Sequence, residues 1–347
     1  MNLWGNAWGL VALPLAVSVA NAGDASVTAE PEPIEYVRIC DAYGAGYLYI
    51  PGTEICLRVS GYVRFDASAG DGGRTGDGRE VTDENGDVNQ TWKTNARLSL
   101  RTHTAQETEL GSLKTYTETR FNFVNGETGS QTMHYAWIQL GGLRLGLDAT
   151  AFDQLLGDAG KVIQDTMIHY GIKETNTIRY LWKGEAFEGV ISLEQGKGDS
   201  TIDSYVPHMI AGAKYNGDWG SIGAVGAYNS VWEEWSGKVR LDVNPTKALT
   251  LFLMAGYGSD DHVDEHQYKP WSGNLALWGG GTYKLNKKTA FNTQVSYTDT
   301  KDFAVAANVA FTVVPGFVIT TEIDYFDNLD NKVDESFGGI IRFQRSF

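Results

Sequence analysis

The chain has 347 residues, with 41 Gly, 8 Pro, 2 Cys, 42% hydrophobic and 20% charged residues. That balance can bury a large core, and it excludes bulk disorder, collagen, coiled coil and a disulfide miniprotein. No run of about 18 apolar residues occurs outside the extreme N-terminus, which excludes a helical membrane protein. The net charge of -15, from 28 basic against 43 acidic residues, excludes a nucleic-acid partner, because binding phosphates requires a basic excess.

The first expected element is an export signal at residues 1–22. Its apolar run is Leu10-Val11-Ala12-Leu13-Pro14-Leu15-Ala16-Val17, and Ala20-Asn21-Ala22 has the small-x-small form of a cleavage site. It departs from the usual signal in having no Lys or Arg before the run. The acidic, Pro-containing stretch Glu30-Pro31-Glu32-Pro33 suits a freshly cut, extended end better than a buried helix. Residues 23–56 then form an N-terminal segment. In an oxidising compartment Cys40 and Cys56, 16 apart, are expected to form a disulfide. A metal or redox pair is the weaker alternative, since there is no CxxC and no third ligand nearby.

From residue 57 to the terminus at 347 the pattern has period two. Leu57, Val59, Val63 and Phe65 alternate with Arg58, Ser60, Tyr62, Arg64 and Asp66; Trp92, Ala96, Leu98 and Leu100 alternate with Lys93, Asn95, Arg97, Ser99 and Arg101. A third run sets Leu113, Thr115, Thr117, Phe121 and Phe123 against Lys114, Tyr116, Glu118, Arg120 and Asn122. Each run is about ten residues long, longer than a usual soluble strand and long enough to cross an outer-membrane apolar band when tilted.

Further strands are expected near Met133, Leu143, Ile178, Glu188, His208, Ser221, Trp235, Leu249, Leu275, Thr289, Phe303, Phe317 and Ser336. The total of about sixteen is even, as single-chain bacterial barrels require. Short links such as Gly141-Gly142 and Pro315-Gly316 interleave with longer polar ones at 67–90, 196–206, 258–274 and 326–335. Periplasmic turns and extracellular loops would produce this asymmetry. The expected fold is therefore all-β: a transmembrane antiparallel β-barrel in the cell outer membrane, against lipid and lipopolysaccharide. At its end Phe337, Gly339, Ile341, Phe343, Arg345 and Phe347 fall on one side. Phe347 is then the terminal aromatic that the outer-membrane assembly machinery would engage, and Arg345 is expected to snorkel at the interface. A soluble β-sandwich also alternates, but its strands are shorter and its polar face meets solvent.

Cys40-Asp41-Ala42-Tyr43-Gly44-Ala45-Gly46-Tyr47, then Tyr49-Ile50-Pro51-Gly52-Thr53-Glu54, Cys56-Leu57-Arg58 and Gly61-Tyr62-Val63-Arg64 closely resemble the opening of the alphaproteobacterial porin family of the Brucella and rhizobial type. The stretch around Glu30-Pro31-Glu32-Pro33, the ending Ile341 to Phe347 and Ala136-Trp137-Ile138-Gln139-Leu140-Gly141-Gly142 resemble it too. The resemblance runs from about residue 30 to the terminus. It implies a sixteen-stranded homotrimeric porin that passes small hydrophilic solutes passively, without a cofactor. It also implies that the third external loop folds into the lumen; here that loop follows the fifth strand, Ala149 to Asp165.

Within that loop Phe152, Leu155, Leu156, Val162 and Ile163 offer a face to pack on a wall, leaving Asp153, Asp158 and Asp165 to face the pore. Opposite them the first strands supply Arg58, Arg64, Arg97, Arg101 and Arg120, with Lys93 and Lys114. Acidic and basic rows across a narrow wet gap would set ion preference. The plainer alternative is that these arginines pair with Glu118 and Asp66 and only solvate the wall.

Enzyme signatures are weak. His262-Val263-Asp264-Glu265-His266 matches HxxEH, which needs a helix, yet it lies in a loop between Gly258 and Pro270. Asp83, Asn85, Asp87 and Asn89 alternate oxygen ligands, but Val88 stands where an EF-hand needs Gly. No metal site is expected. Two rival readings remain: a substrate-selective barrel such as a sugar or anion channel, which a stacked aromatic track would favour and for which Tyr62 and Tyr116 are candidates without forming a continuous track, and an exported sandwich that binds a ligand or surface.

Overall fold

A computed structural model describes residues 38–71, 75–172, 174–261 and 267–347, with only the backbone described at 331–334. The expected signal at 1–22, the stretch around Glu30-Pro31-Glu32-Pro33 and the HxxEH sequence at 262–266 lie outside the described residues.

Among the described residues sixteen long strands form one antiparallel sheet: β1 Cys56–Gly70, β2 Val88–Thr108, β3 Gly111–Val124, β4 Glu127–Leu140, β5 Leu143–Ala149 and β6 Glu174–Lys183. They continue as β7 Phe187–Glu194, β8 His208–Gly217, β9 Gly220–Asn229, β10 Glu234–Val243 and β11 Leu249–Gly258. The last five are β12 Leu275–Lys284, β13 Thr289–Thr298, β14 Asp302–Val314, β15 Phe317–Asn328 and β16 Asn331–Ser346. Each pairs with its chain neighbour, and β16 pairs back onto β1 with Arg342 opposite Asp66 and Phe343 opposite Phe65. The sheet closes on itself and has no open edge.

Alternation places every second side chain outside. On β11, Leu251 and Leu253 keep 42% and 57% of their surface while Phe252 and Met254 between them keep 7% and 0%. The outer row continues around the wall through Val63, Phe121, Ile138, Ile191 and Val239. A closed barrel that presents its apolar side chains outward matches lipid, not water.

The connections alternate in length. At one end lie turns such as Gly141-Gly142 and Pro315-Gly316, together with the chain's two strand termini; the other end carries the segments 71–87, 150–173, 195–207 and 259–274. Several strands run further out than their alternation suggested. β3 and β4 meet at Asn125-Gly126, both at positive φ (54° and 88°), the two-residue turn whose twist fits a hairpin. The segment expected as a loop at 326–335 is mostly strand, leaving only residues 329–330 between β15 and β16. Within 71–87 a short hairpin, Gly78–Thr82, extends β2. Polar hairpins above the apolar band need no hydrophobic partner, so period-two patterning is weak there.

Cys40 and Cys56 are joined by a disulfide, with Cα atoms 6.0 Å apart. The pair is buried with Tyr47 and Ala105, and Leu48–Tyr49 adds a short strand to the start of β1. Phe347 closes the seam: its N–H donates to the Gly61 carbonyl at 3.0 Å and its carbonyl accepts from the Gly61 N–H at 2.9 Å. Arg345 stands exposed at the short-turn end and donates to the Pro315 carbonyl at 2.8 Å.

Candidate functional site

The inner faces of β1, β2 and β3 carry the predicted basic wall, and sheet register assembles it. Arg64 stands opposite Arg97, Ser60 opposite Arg101, Arg101 opposite Glu118 and Ser99 opposite Arg120. Glu118 binds the middle of the ladder. It accepts from Arg120 Nε at 2.7 Å, Arg101 Nε at 3.0 Å, Tyr116 Oη at 2.8 Å and Ser99 Oγ at 2.9 Å. Arg97 donates to Asn122 Oδ1 at 2.7 Å and Arg64 to Gln344 Oε1 at 2.8 Å. These amides satisfy donors without cancelling charge.

Arg342, which the sequence reading did not single out, joins the ladder from β16 and grips Asp66 at 2.7 and 2.9 Å. Arg64, Arg97, Arg101, Arg120 and Arg342 therefore face two carboxylates, Glu118 and Asp66. The expected local pairing exists, but it neutralises only part of the row. Tyr62 stands within the ladder, opposite Ser99: the Arg64 and Arg101 guanidinium carbons lie 4.6 and 5.5 Å from its ring centroid. Arg58 sits lower, 5.0 Å over the Tyr47 ring and 3.2 Å from the His103 ring. Lys93 is paired with Asp77 at 2.8 Å, and Lys114 lies 5.9 Å from the Tyr43 ring.

The segment after β5 is longer than expected, running from 150 to 173. It opens with a short helix, Ala151–Gln154, capped by the Thr150 hydroxyl, which accepts from the Phe152 N–H. Inward-facing side chains on a succession of strands hold it. Glu194 on β7 accepts from Thr150 Oγ1 and the Ala151 N–H at 2.5 and 2.8 Å. Arg240 on β10 donates to the Asp158 carbonyl at 2.6 Å, and Trp278 on β12 to the Ile168 carbonyl at 2.9 Å. Gln294 on β13 donates to the Ala159 and Asp165 carbonyls at 2.7 and 2.9 Å. Asn308 on β14 donates to the Lys161 carbonyl at 3.1 Å, while Glu322 on β15 accepts from the N–H groups of Ile163 and Gln164 at 2.5 and 2.7 Å. Phe152, Leu156, Ala159, Val162, Met167, Ile168 and Tyr170 are buried in the same cluster as Val190, Ile210, Phe252, Met254 and Trp278 of the wall. Leu155 packs on its margin, and Ile163 is half-buried.

The three loop carboxylates do not behave alike. Asp153, expected to face the pore, is instead buried, and its Oδ1 accepts from Lys238 Nζ at 2.8 Å. Lys238 has no exposed side-chain surface; it also donates to the Tyr170 carbonyl at 2.7 Å and lies 4.3 Å over the Phe152 ring. A buried ammonium needs a carboxylate within contact distance, and Asp153 supplies it. Asp158 is exposed and Asp165 half-buried. Both accept from the Tyr170 hydroxyl, at 2.9 and 2.7 Å. Burial, and then the charges of Asp165 and Asp158, push the Tyr170 hydroxyl well above its ordinary value, so it stays a donor between them.

Sequence reasoning missed the network at the root of the segment. Arg179, buried on β6, donates to Gln154 Oε1 at 2.8 Å and the Ala149 carbonyl at 2.5 Å, and lies 3.5 Å from Asp148. Arg144 pairs with Asp148 at 2.7 Å. The polar sides of β6 and β10 did carry Arg179 and Lys238 in the sequence, but inward cations on β1, β2 and β3 carry the same alternation, so nothing local marked these two as buried. The calcium-like residues are used up locally: Asp83 accepts from the N–H groups of Asn85 and Asp87 at 2.9 and 3.0 Å and from the Asn89 amide at 3.2 Å, which is a turn rather than an open ligand set.

Residues 24–344 match the porin subfamily. Porin Omp2b of Brucella melitensis is 46% identical over the whole of both chains. Among solved structures, the outer membrane channel DcaP of Acinetobacter baumannii superposes with a TM-score of 0.66 at 17% identity, covering 86% of this chain and 99% of that one. A mutant of Rh. blastica porin superposes with a TM-score of 0.60 at 14% identity, covering 84% of this chain and 100% of the other.

Proposed function

This chain belongs to the porin subfamily, and from that premise we propose that its outer-membrane channel sorts solutes between an arginine ladder and the loop carboxylates Asp158 and Asp165. The observation that supports this reading is asymmetry of the inner wall. Arg101 and Arg120 retain 35% and 24% of their side-chain surface, while the segment 150–172 is fastened to the strands across from them. Opposed charge across a narrow wet gap orients dipolar solutes and biases ions without any covalent step. Small hydrophilic solutes then cross by downhill diffusion. Asp153 belongs to the fastening and not to the gap.

The same reading includes removal of residues 1–22 on export, a homotrimer in lipid and lipopolysaccharide, and engagement of Phe347 by the assembly machinery. The test is a reversal potential across a planar bilayer under a potassium chloride gradient. Asp158→Asn with Asp165→Asn is expected to move it toward anions, and Arg97→Gln with Arg120→Gln toward cations. If both double variants conduct with the parental reversal potential, the ladder and the loop carboxylates do not face the ion path.

A further inference from the structure

The arginine ladder continues downward into a row of rings that the porin reading leaves without a task. Register places Arg58 opposite His103, His103 opposite Tyr116 and Tyr116 opposite Trp137, so one inward level runs straight across β1 to β4. The His103 and Tyr116 centroids are 4.7 Å apart, and those of Tyr116 and Trp137 are 5.4 Å apart. Tyr135 adds a flank 6.1 Å from Tyr116, and Tyr47, from the disulfide-tied segment, extends the row 6.3 Å beyond His103. His103, Tyr116, Tyr135 and Trp137 are half-buried, so none of the four is closed off from solvent. Arg58 is the third residue of β1, which sets this level near the short-turn, periplasmic end.

Polar groups border the rings, and one caps a ring face. Arg144 lies 4.1 Å over the Trp137 ring and donates to Gln139 Oε1 at 2.9 Å. The Tyr116 hydroxyl donates to Glu118, and the Arg58 guanidinium lies beside the His103 ring. Arg144 is also neutralised by Asp148 at 2.7 Å, so the row offers ring faces and hydrogen-bonding edges more than bare charge. A pyranose has the complementary form, with C–H faces that rest on aromatic rings and a rim of hydroxyls that both donate and accept. We propose that the His103–Tyr116–Trp137 row, flanked by Tyr135 and backed by the buried Tyr47, is a sugar-binding ledge at the periplasmic end of the channel, taking neutral linear pyranose oligomers in passing. The inference rests on the porin reading and adds a saturable site to a diffusive pore.

The experiment is current-noise titration of single channels with maltohexaose, a neutral linear chain of pyranoses, added from each side in turn. A polyethylene glycol of matched size is the comparator. The expected result is a saturable, reversible block by maltohexaose but not by the polymer. In Trp137→Leu/Tyr116→Leu the half-blocking concentration is expected to rise about tenfold, the loss of two ring faces. Current falling equally with sugar and polymer, without saturation, overturns the ledge and leaves the porin standing. Saturable block that is unchanged in the double variant overturns the assignment to these rings. Absence of any channel from folded parent protein would instead remove the porin reading, and the ledge with it. If the double variant fails to fold, Trp137→Leu alone carries the same comparison: a raised half-blocking concentration supports the ledge and an unchanged one overturns it.

Discussion

On β2 and β3 the inward arginines Arg101 and Arg120 keep 35% and 24% of their side-chain surface, whereas on β10 the inward Lys238 keeps none. The two stretches of strand have the same alternation and the same kind of cation on the inner face. What differs is cover. The segment 150–172 lies on the strands from β7 to β15, so side chains there are desolvated and each needs a fixed partner; the ladder on β1 to β3 stays partly wet and tolerates an excess of positive charge. A charged side chain in this barrel wall is thus left partly wet on one side and turned into a structural fastener on the other, and residue type does not tell them apart.

The contrast breaks most sharply at the buried pair. Lys238→Met leaves Asp153 without its ammonium and is expected to destabilise the fastened segment by about 3–5 kcal/mol, whereas Lys238→Met with Asp153→Leu recovers most of that loss. The measurement is the temperature at which the folded, fast-migrating band is lost on a gel, together with open-channel noise. Single and double variants of equal stability would show that the pair does not fasten the segment.

The wet half has its own fastening, the Cys40–Cys56 disulfide, whose ends are 16 positions apart in sequence. Cys40→Ser/Cys56→Ser is expected to cost about 3 kcal/mol by loop-closure entropy, read as a lower heat-denaturation temperature that reductant no longer changes. Charge removal in the ladder acts on ions rather than on stability. Arg97→Gln with Arg120→Gln is expected to change the potassium-to-chloride permeability ratio roughly two- to threefold at low salt and less at high salt. A ratio independent of salt would argue against a wet, screened ladder.

The Tyr170 hydroxyl tests the covered half by pH. Burial and two flanking carboxylates raise its folded-state pKa above the ordinary 10.0. The folded state therefore holds this proton more tightly than the unfolded state does. Stability from this group is complete below pH 10.0 and declines as pH rises beyond it. Thermal stability of the parent is expected to fall above that pH, and Tyr170→Phe to remove that part of the fall. The smallest effect is expected at Lys93 and Asp77, whose side chains are 41% and 34% exposed. Lys93→Ala is expected to change stability by less than about 1 kcal/mol, within the scatter of a melting curve.

The barrel was legible because alternation is local. Leu57, Val59, Val63 and Phe65 declare an outer face within one strand, and sixteen such strands with unequal links leave closure as the way to satisfy every edge. Their ends were less legible: at Asn125-Gly126 and at residues 329–330 the strands continue as polar ribbons in which no apolar row marks the face. The five arginines were legible as inward groups for the same reason as the barrel.

The sequence by itself determined the sheet, its closed even-numbered form, the Cys40–Cys56 link and the aromatic end of the last strand at Phe347. These depend on period two, on cysteine count and on the chain end, each readable over a few residues. Only the tertiary structure decided which loop carboxylate meets water. Asp153 and Asp158 are five residues apart on one segment, yet Asp153 reaches a lysine 85 residues away and Asp158 does not. That choice depends on how the barrel's curvature brings β10 under the turn after β5, and no local pattern encodes the distance between two strands that never pair.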